Sequence, residues 1–561
     1  MGKELETDPS STSASFNEKP LVTDAQTQDV EEGDSTPQVE EDTKVYLSGW
    51  RLYVVTIALC LSMFLPNFEV SIVSTSLLTI TNELKGFSQS SWIVDAYLIT
   101  YTGLLISWAK LSDIFGRKFS LLASLVIFMA FSGACGGAQT MTQLIIFRAF
   151  QGIGGSGIYA LGMVIFFELG PARKYTLYAG LVTMTFTLAL ALGPIFGGLI
   201  NLNGSWRWVF LLNPPAAFVA IIALAFAFPS TFPDIKPPST ARTTMFHSFS
   251  LKSIRKVDFL GTALLLGASI FLITALQQVE NYGTWSSALT IALLVLSGPL
   301  LLAFLAWERR VTSEDSVTEP VFPWRFVKSR QWMGMIMNTF FCGTVFTVCI
   351  IQIPLRLQAV NGFSTLGAGV RLLPYGLLVP FGSFTAAALT GPGKKSVPAV
   401  YIILAGTTIQ TVAVSLLSVL PTTTAFAKRS LAFEALAGLG TGLCIGSLVM
   451  LTPLVCEKRD LAVATAAINQ FRFLGGSVGL AIVSSAMYSW TRTRFLGILA
   501  PDKVEILEQT TQFISEFSPE VQEKIRVIFA GGFNLQMKIL IGLAALQFVA
   551  TGLMWNKRPI R

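Results

Sequence analysis

Long apolar segments separated by short polar ones set the pattern of this chain. Beyond its first fifty residues or so, apolar runs recur with roughly 20 residues each, the length that one helix needs to cross the hydrocarbon core of a bilayer. The pattern predicts fourteen spans, with approximate bounds 52–75, 91–110, 119–138, 143–167, 176–200, 208–229, 259–279, 286–306, 332–353, 367–389, 397–419, 430–455, 462–487 and 536–556. The predicted fold class is therefore an all-α membrane protein with 14 transmembrane helices.

The composition supports this class. Of the 561 residues, 52% are hydrophobic and 13% are charged, whereas about 25% of the residues in a soluble domain are charged. The sequence contains no G-x-x-x-x-G-K-[ST] phosphate loop, so active transport would draw on a gradient and needs no cofactor. The six cysteines lie in or beside apolar runs without metal-ligand spacing, and we expect neither zinc nor disulfides. We also expect no enzymatic activity and no nucleic-acid partner.

Basic residues mark one side of the predicted membrane protein. The loops after spans two, four, eight, ten and twelve carry most of the loop lysines and arginines, which places these loops in the cytosol. With an even number of spans, both termini are then cytosolic. Up to Lys44 there are twelve acidic residues against three lysines and no apolar period, which indicates a disordered acidic cytosolic tail over 1–47. The sequence also predicts a cytosolic linker at 230–257, an external loop at 489–536 and a cytosolic C-terminus at 557–561.

Several ionisable residues fall inside predicted spans, and four of them are candidates for proton coupling. An ionisable side chain at membrane depth is costly and is by default a functional candidate. Because burial disfavours the charged form of a carboxylate, Glu69, Asp95 and Glu434 are candidates for binding and releasing a proton, and Arg148 for taking part in the coupling. The alternative for each is a structural role, as a static ion pair or a hydrogen-bonded clamp.

A glycine-rich segment imitates a dinucleotide site. Residues 152–157 satisfy G-x-G-x-x-G, but that fingerprint requires a preceding strand, and these residues lie inside an apolar helix. We interpret the glycines as a surface that lets neighbouring helices approach closely.

The loop after span two carries the first family motif. It reads A-K-L-S-D-I-F-G-R-K over residues 109–118 and resembles the G-x-L-x-D-x-x-G-R-K loop of the major facilitator superfamily. Gly116 permits a tight turn, and Asp113 and Arg117 can pair with each other or with helix ends. We expect these residues, with Lys118, to gate the cytosolic side.

Further motifs point to one subfamily. Residues 148–155 resemble the superfamily's R-x-x-Q-G-x-G pattern in span four, and residues 189–198 resemble its antiporter motif, with gating residues Gly193, Pro194, Gly197 and Gly198. The segment from Trp206 to Pro214 and the E-V-S-I-V at 69–73 are similar to segments of fourteen-span drug:proton antiporters of the fungal efflux-pump type. There Glu69 replaces the usual aspartate.

This resemblance implies a two-part architecture. It predicts the major facilitator fold, with six-helix halves at 48–229 and 332–556, a central substrate site between them and an inserted hairpin with its following loop at 258–331. Polar side chains near mid-membrane in the second half are candidates for binding substrate: Asn338, Gln352, Tyr375, Asn469 and Gln470.

The expected function is proton-coupled efflux of small amphipathic organic compounds, such as a toxin, drug or secondary metabolite, by alternating access. Alternatives on the same scaffold are a proton-coupled siderophore transporter, a vacuolar basic amino acid transporter and a non-transporting nutrient sensor. We expect a monomer surrounded by lipid in the plasma membrane, or else in the vacuolar membrane. Asn203 begins a glycosylation sequon, although the shortness of its loop argues against occupancy.

Overall fold

The structure is a computed structural model in which the acidic tail and most of the linker lie outside the described residues. The described residues are 46–84, 90–171, 174–203, 205–229, 232, 255–282, 285–313, 318–390, 397–501, 503–504 and 517–556.

The described residues form seventeen α-helices, and within them no β-strand occurs beyond a single bridge between Val257 and Glu319. The helices are α1 Trp50–Glu83, α2 Ser90–Gly103, α3 Leu105–Phe115, α4 Arg117–Gly137, α5 Met141–Glu168, α6 Tyr175–Asn203, α7 Arg207–Leu211, α8 Asn213–Ala227, α9 Phe259–Tyr282, α10 Ala288–Ser313, α11 Trp324–Lys328, α12 Arg330–Ala359, α13 Thr365–Thr390, α14 Ala399–Ser418, α15 Ser430–Val455, α16 Leu461–Phe495 and α17 Pro519–Leu553.

The predicted spans correspond to these helices. Among the described residues, 12 helices are long and apolar enough to cross a membrane, and the bent pair α2–α3 raises the number to 13. The remaining predicted span, 176–200, coincides with α6. The prediction of an all-α membrane protein is confirmed.

Span two differs from the straight helix expected over 91–110. It breaks at Leu104, and its two segments meet at 47°. The backbone N–H of Ile106, just beyond the break, donates to Gln470 Oε1 at 3.2 Å instead of to a carbonyl of its own helix. A side chain from α16 thus satisfies the donor that the bend would otherwise leave unpaired in an apolar environment.

The last helix also differs from expectation. The sequence predicts a separate surface helix near 518–529 within the external loop, and α17 does begin at Pro519. It then continues to Leu553 without a break, so this stretch is the start of the final span. Its first turns pack on neighbouring elements, since Ile525 packs with Phe495 at the end of α16 and Arg526 donates to the Val360 carbonyl after α12 at 3.3 Å.

The helix contacts repeat within the chain. In the first half, α1 packs on α6 and α8, α5 packs on α2 and α4, and α4 packs on α8. In the second half the same pattern joins α12 with α16 and α17, α15 with α13 and α14, and α14 with α17. The first, fourth and sixth helices are thus α1, α5 and α8 in one half, and α12, α15 and α17 in the other.

Contacts between the halves follow the same repeat. Helix α6 packs on α13, and α16 packs on α3 and α5. Helix α9 of the inserted hairpin contacts α2 and α16, so it lies along this seam, and α10 packs mainly on α9. We call the end of the bundle where α1 begins the inner end, predicted to be cytosolic, and the opposite end the outer end.

Candidate functional site

A fully buried ion pair lies in the outer part of the first half. Arg148 on α5 donates through a terminal nitrogen to Glu69 Oε1 on α1 at 2.9 Å, and both side chains are 0% exposed. A buried carboxylate needs both a countercharge and hydrogen bonds to offset its lost hydration. Glu69 and Arg148, which the sequence identifies as separate candidates, therefore form one ion pair.

Amides complete the shell around this pair. Asn213, the first residue of α8, donates to Glu69 Oε2 and also to Ser132 Oγ, the latter at 3.1 Å. Gln151 Oε1 accepts from Arg148 at 2.9 Å, and its amide nitrogen donates to Ser132 Oγ at 3.0 Å. The pair is therefore joined to α1, α4, α5 and α8 by hydrogen bonds.

Helix α2 supports the arginine from another side. Arg148 Nε donates to the Ile93 carbonyl at 2.9 Å, and its guanidinium lies 4.3 Å from the centre of the Tyr97 ring. The Tyr97 hydroxyl donates to the Pro66 carbonyl on α1 at 3.1 Å. The terminal guanidinium nitrogen Nη2 has no hydrogen-bond partner among the described residues, so the arginine keeps an unused donor beside the carboxylate.

Close helix packing brings these groups together. A Cβ at Gly154 would lie 2.7 Å from the Ser124 carbonyl of α4, and one at Gly155 would lie 2.6 Å from the Tyr97 hydroxyl of α2. The interpretation of residues 152–157 as a packing surface is confirmed. On α6, a Cβ at Gly193 would collide with the Ser71 side chain and lie 2.9 Å from its backbone carbon, so α6 contacts α1 two residues from Glu69.

The other two predicted coupling residues lie elsewhere. Asp95 is partly buried on α2, two residues from Ile93, whose carbonyl binds Arg148. Glu434 on α15 belongs to the second half and is 1% exposed, beside a cavity of about 320 Å³ that it lines together with Arg356. Neither is among the groups bonded directly to Glu69.

The predicted gating loop forms a compact charge network at the inner end. Arg117 donates to Asp113 Oδ1 at 2.6 Å, to Ser112 Oγ at 2.5 Å and to Glu168 Oε1 at 2.8 Å. Gly116 has φ +92°, a conformation that side chains disfavour, and so links α3 directly to α4. Lys118 Nζ donates to the Ala225 and Phe228 carbonyls at the end of α8, both at 2.6 Å.

The antiporter-like motif is only partly described. Gly197 is buried on α6, as is Gly193, but the surroundings of Pro194 and Gly198 lie outside the described residues. Asn203 ends α6, and its side chain and Gly204 also lie outside them, so its glycosylation stays a prediction.

A cavity of about 640 Å³ lies between the two halves. It is lined from α5, α6, α12, α13, α15 and α16. Its described lining is Tyr159, Met163, Phe166, Phe167, Tyr178, Val182, Thr183, Phe186, Phe346, Val379, Ser383, Ile445, Gly446, Val449 and Arg472. Its mostly apolar walls with a few polar groups are typical of sites that bind organic molecules.

The five predicted substrate residues are not in this lining. All five bond other helices. Asn338 donates to Thr551 Oγ1, Gln352 to Ser484 Oγ and Tyr375 to the Phe346 carbonyl, while Gln470 accepts from Ile106 and Asn469 from Tyr159. Asn469 lies nearest to the cavity, because its Oδ1 accepts from Tyr159 at 3.4 Å. Their role in binding substrate stays a prediction.

Sequence reasoning missed several members of the site. Asn213 and Gln151 both stand in motifs quoted above, and an amide inside an apolar helix was the available signal. Glu168 directly follows predicted span four, where hydration among lipid headgroups would account for a carboxylate, but it binds Arg117. Nothing in the sequence distinguished Tyr97 from other aromatic residues.

Comparison with known proteins agrees with the fold and the motifs. The sequence profile of the Major Facilitator Superfamily matches residues 59–312. An MFS-type transporter, FPY5 of Fusarium mangiferae, is 39% identical over 92% of this chain and 85% of its own length. The chain belongs to the major facilitator superfamily. It is thus a multi-pass membrane protein of a transporter family with relatives in fungi.

Two further comparisons refine this placement. The efflux pump FUS6 of Gibberella fujikuroi is 28% identical over 92% of this chain and 90% of its own length. The crystal structure of the human organic anion transporter MFSD10 superposes with a TM-score of 0.57, covering 89% of this chain and 99% of the other at 12% identity. At that identity the likeness concerns the fold alone.

Proposed function

We propose that this protein exports small amphipathic organic compounds in exchange for protons. The observation that carries the proposal is the Glu69–Arg148 pair, an acid and a base at 2.9 Å with no exposed surface, connected to helices that belong to the moving parts of such a transporter. The relatives named as efflux pumps support the direction of transport.

The shell around Glu69 suits both protonation states of its carboxyl group. When the group is charged, Arg148 and Asn213 donate to its two oxygens. When it is protonated, rotation of the Asn213 amide would present Oδ1, which has no partner among the described residues, to the new O–H. Proton uptake then weakens the ion pair, and the rotated amide exchanges its bond to Ser132 Oγ for one with the new O–H.

Loss of that ion pair is the step that links the proton to helix movement. Neutral Glu69 no longer holds Arg148, and with it α5, against α1. Helix α5 also lines the central cavity through Tyr159 and Met163. Proton binding therefore biases the position of a helix that contacts the cargo. Alternating access requires such a difference between the two states in how they bind the proton.

The gradient supplies enough free energy to bias the cycle. A proton moved through a membrane potential of 100 mV contributes about 2.3 kcal/mol. The Arg117 network at the inner end would close the cytosolic side while the proton enters from outside. Its two carboxylates hold Arg117 on α4 against α3 and α5.

Transport into reconstituted vesicles tests this proposal. The purified protein is placed in liposomes with an imposed pH difference, and movement of anionic, neutral and cationic amphipathic dyes is followed. We expect the wild type to move at least one dye against the proton flow and Glu69→Gln to do so only at background rate. Gln retains the shape of the side chain but cannot be titrated.

The matched control is Glu457→Gln, which changes the same residue type at an exposed position of the inner end. It should transport like the wild type. Unchanged transport by Glu69→Gln, or no gradient-driven movement of any dye by the wild type, would refute the proposal. Dye movement in the same direction as the protons would instead identify an importer.

A further inference from the structure

The central cavity contains one charged group among its described lining residues, Arg472 on α16. It stands among apolar and aromatic side chains with only a few hydroxyl groups. The charge is therefore placed where a bound molecule would meet it.

Arg472 is poorly compensated within the described residues. One terminal nitrogen donates to the Tyr159 hydroxyl at 2.7 Å, while Nε is buried without a partner. No carboxylate of the described residues lies within 4.0 Å of it. Arg148 and Arg117, two buried arginines discussed above, each contact a carboxylate.

This difference has a physical consequence. Partial burial of a guanidinium without a countercharge is costly, and the planar set of N–H donors of this group matches the two oxygens of a carboxylate. A ligand that brings an anionic oxygen into the cavity would therefore satisfy Nε and replace or supplement the neutral Tyr159 contact. A cationic ligand would face an uncompensated positive charge of the same sign.

The remaining walls define the other part of the ligand. Aromatic rings from both halves surround the cavity, namely Phe166, Phe167, Tyr178, Phe186 and Phe346. Phe186 and Phe346 lie 5.9 Å apart between ring centres and come from opposite halves. Such walls favour a flat or unsaturated apolar body.

We propose that the central cavity binds amphipathic organic anions, each with a flat apolar body among the aromatic rings and a carboxylate or a comparably acidic oxygen on Arg472. This inference rests on the proposed function and names its cargo class. Tyr159 acts as a positioning residue, because it accepts from Arg472 and donates to Asn469 Oδ1, which fixes the guanidinium toward the cavity.

A binding measurement without any gradient tests the cargo class. The probes are pyrenebutyrate, its methyl ester and pyrenebutylamine, which share one aromatic body and differ in charge. Saturable tryptophan-to-pyrene energy transfer is recorded on the full-length protein in lipid nanodiscs, with empty nanodiscs as the blank. We expect the carboxylate to bind about tenfold more tightly than the ester, the value for one charged hydrogen bond, and the amine to bind most weakly.

Variants assign that preference to Arg472. Arg472→Gln should remove the carboxylate's advantage and leave the ester's affinity unchanged, and Arg472→Lys should restore part of it. Tyr159→Phe removes the hydroxyl that orients the guanidinium and should reduce the advantage without abolishing it. Arg371→Gln is the matched control, since that arginine binds the Gly367 carbonyl and does not belong to the described cavity lining.

The possible outcomes separate this inference from the proposed function. Equal or tighter wild-type binding of the ester or amine would overturn the inference even if Arg472→Gln failed to fold. An unchanged carboxylate-to-ester ratio in a folded Arg472→Gln would also overturn it and leave Arg472 as a structural link between the halves. If the anion preference holds but no pH difference drives transport, the proposed function fails and the cargo class stands.

Discussion

The two halves of the molecule place an acid and a base on equivalent helices, with the charges exchanged. In the first half Glu69 lies on the first helix and Arg148 on the fourth. In the second half Arg356 lies on the first helix, α12, and Glu434 on the fourth, α15. Both sets lie toward the outer end.

An asparagine on the sixth helix accompanies each set. Asn213 on α8 donates through its amide nitrogen to Glu69, whereas Asn534 on α17 accepts through Oδ1 from Arg356 at 3.4 Å. An amide offers a donor to one charge and an acceptor to the other, so the same residue type serves both halves.

The two sets differ in whether the acid and the base contact each other. Glu69 and Arg148 are in direct contact. Arg356 instead donates to the Pro421 carbonyl at 2.8 Å, and Glu434 Oε2 has no hydrogen-bond partner among the described residues. The helix packing is thus repeated while the chemistry is not. Of these two sets, only the first has a carboxylate in direct contact with the arginine of the other helix.

Removal of the arginine from each set should give the largest difference in stability between the two halves. Arg148→Met leaves Glu69 buried without its countercharge, and we expect a loss of about 3–5 kcal/mol in stability. Arg356→Met removes only hydrogen bonds to neutral oxygens and should cost roughly 1–3 kcal/mol. Unfolding by SDS in mixed micelles measures both, and equal losses would show that the two sets are energetically alike.

Removal of the asparagine amide from each set should give a smaller difference in stability. Asn213→Ala leaves Glu69 Oε2 without its donor and should cost about 1–3 kcal/mol. Asn534→Ala leaves Arg356 its bond to Pro421 and should cost about 0.5–1.5 kcal/mol. The same unfolding assay tests this order, and a reversed order would contradict the assignment of Glu69 as the tightly held carboxylate.

A partly exposed acid–base contact should make the smallest contribution to stability. Glu319 Oε2 accepts from Lys110 Nζ at 2.7 Å across the inner end, with Lys256 at 3.5 Å. Partial burial alone would raise the pKa of Glu319, but these two lysines outweigh it and lower that pKa below its usual value. The contact is therefore formed at neutral pH and is lost on acidification through the lowered pKa.

The expected effect of removing this contact is small. Because Glu319 is largely hydrated, Glu319→Gln should change stability by less than about 1 kcal/mol. Unfolding midpoints of the wild type and the variant should converge in acidic buffer. A loss as large as that of Arg148→Met would mean that this surface contact holds the inserted segment against the first half.

The sequence predicts the spans well because each depends on local hydropathy. It also identifies Glu69 and Arg148, since a charge in an apolar run is visible without a structure. Their pairing is not visible, because they are 79 positions apart and the spans do not reveal which faces meet. The motif around Trp206 contained Asn213 but did not show its partner.

The bend in span two and the cavity lining illustrate the same limit. Leu104 lies in an apolar run without a proline, and the acceptor that permits the break comes from Gln470, 364 positions away. The predicted substrate residues were chosen as polar groups in apolar helices, yet all five bond other helices. Long-range packing decides which polar groups face a cavity.

Infrared difference spectroscopy of the carboxyl groups tests the central claim most directly. Spectra of the reconstituted protein in acidic and alkaline buffer contain the carbonyl band of any buried carboxyl group that takes up a proton. We expect such a band in the wild type and in Glu434→Gln, and its loss in Glu69→Gln. A band that persists in Glu69→Gln and disappears in Glu434→Gln would transfer the proton to the second half and contradict the account.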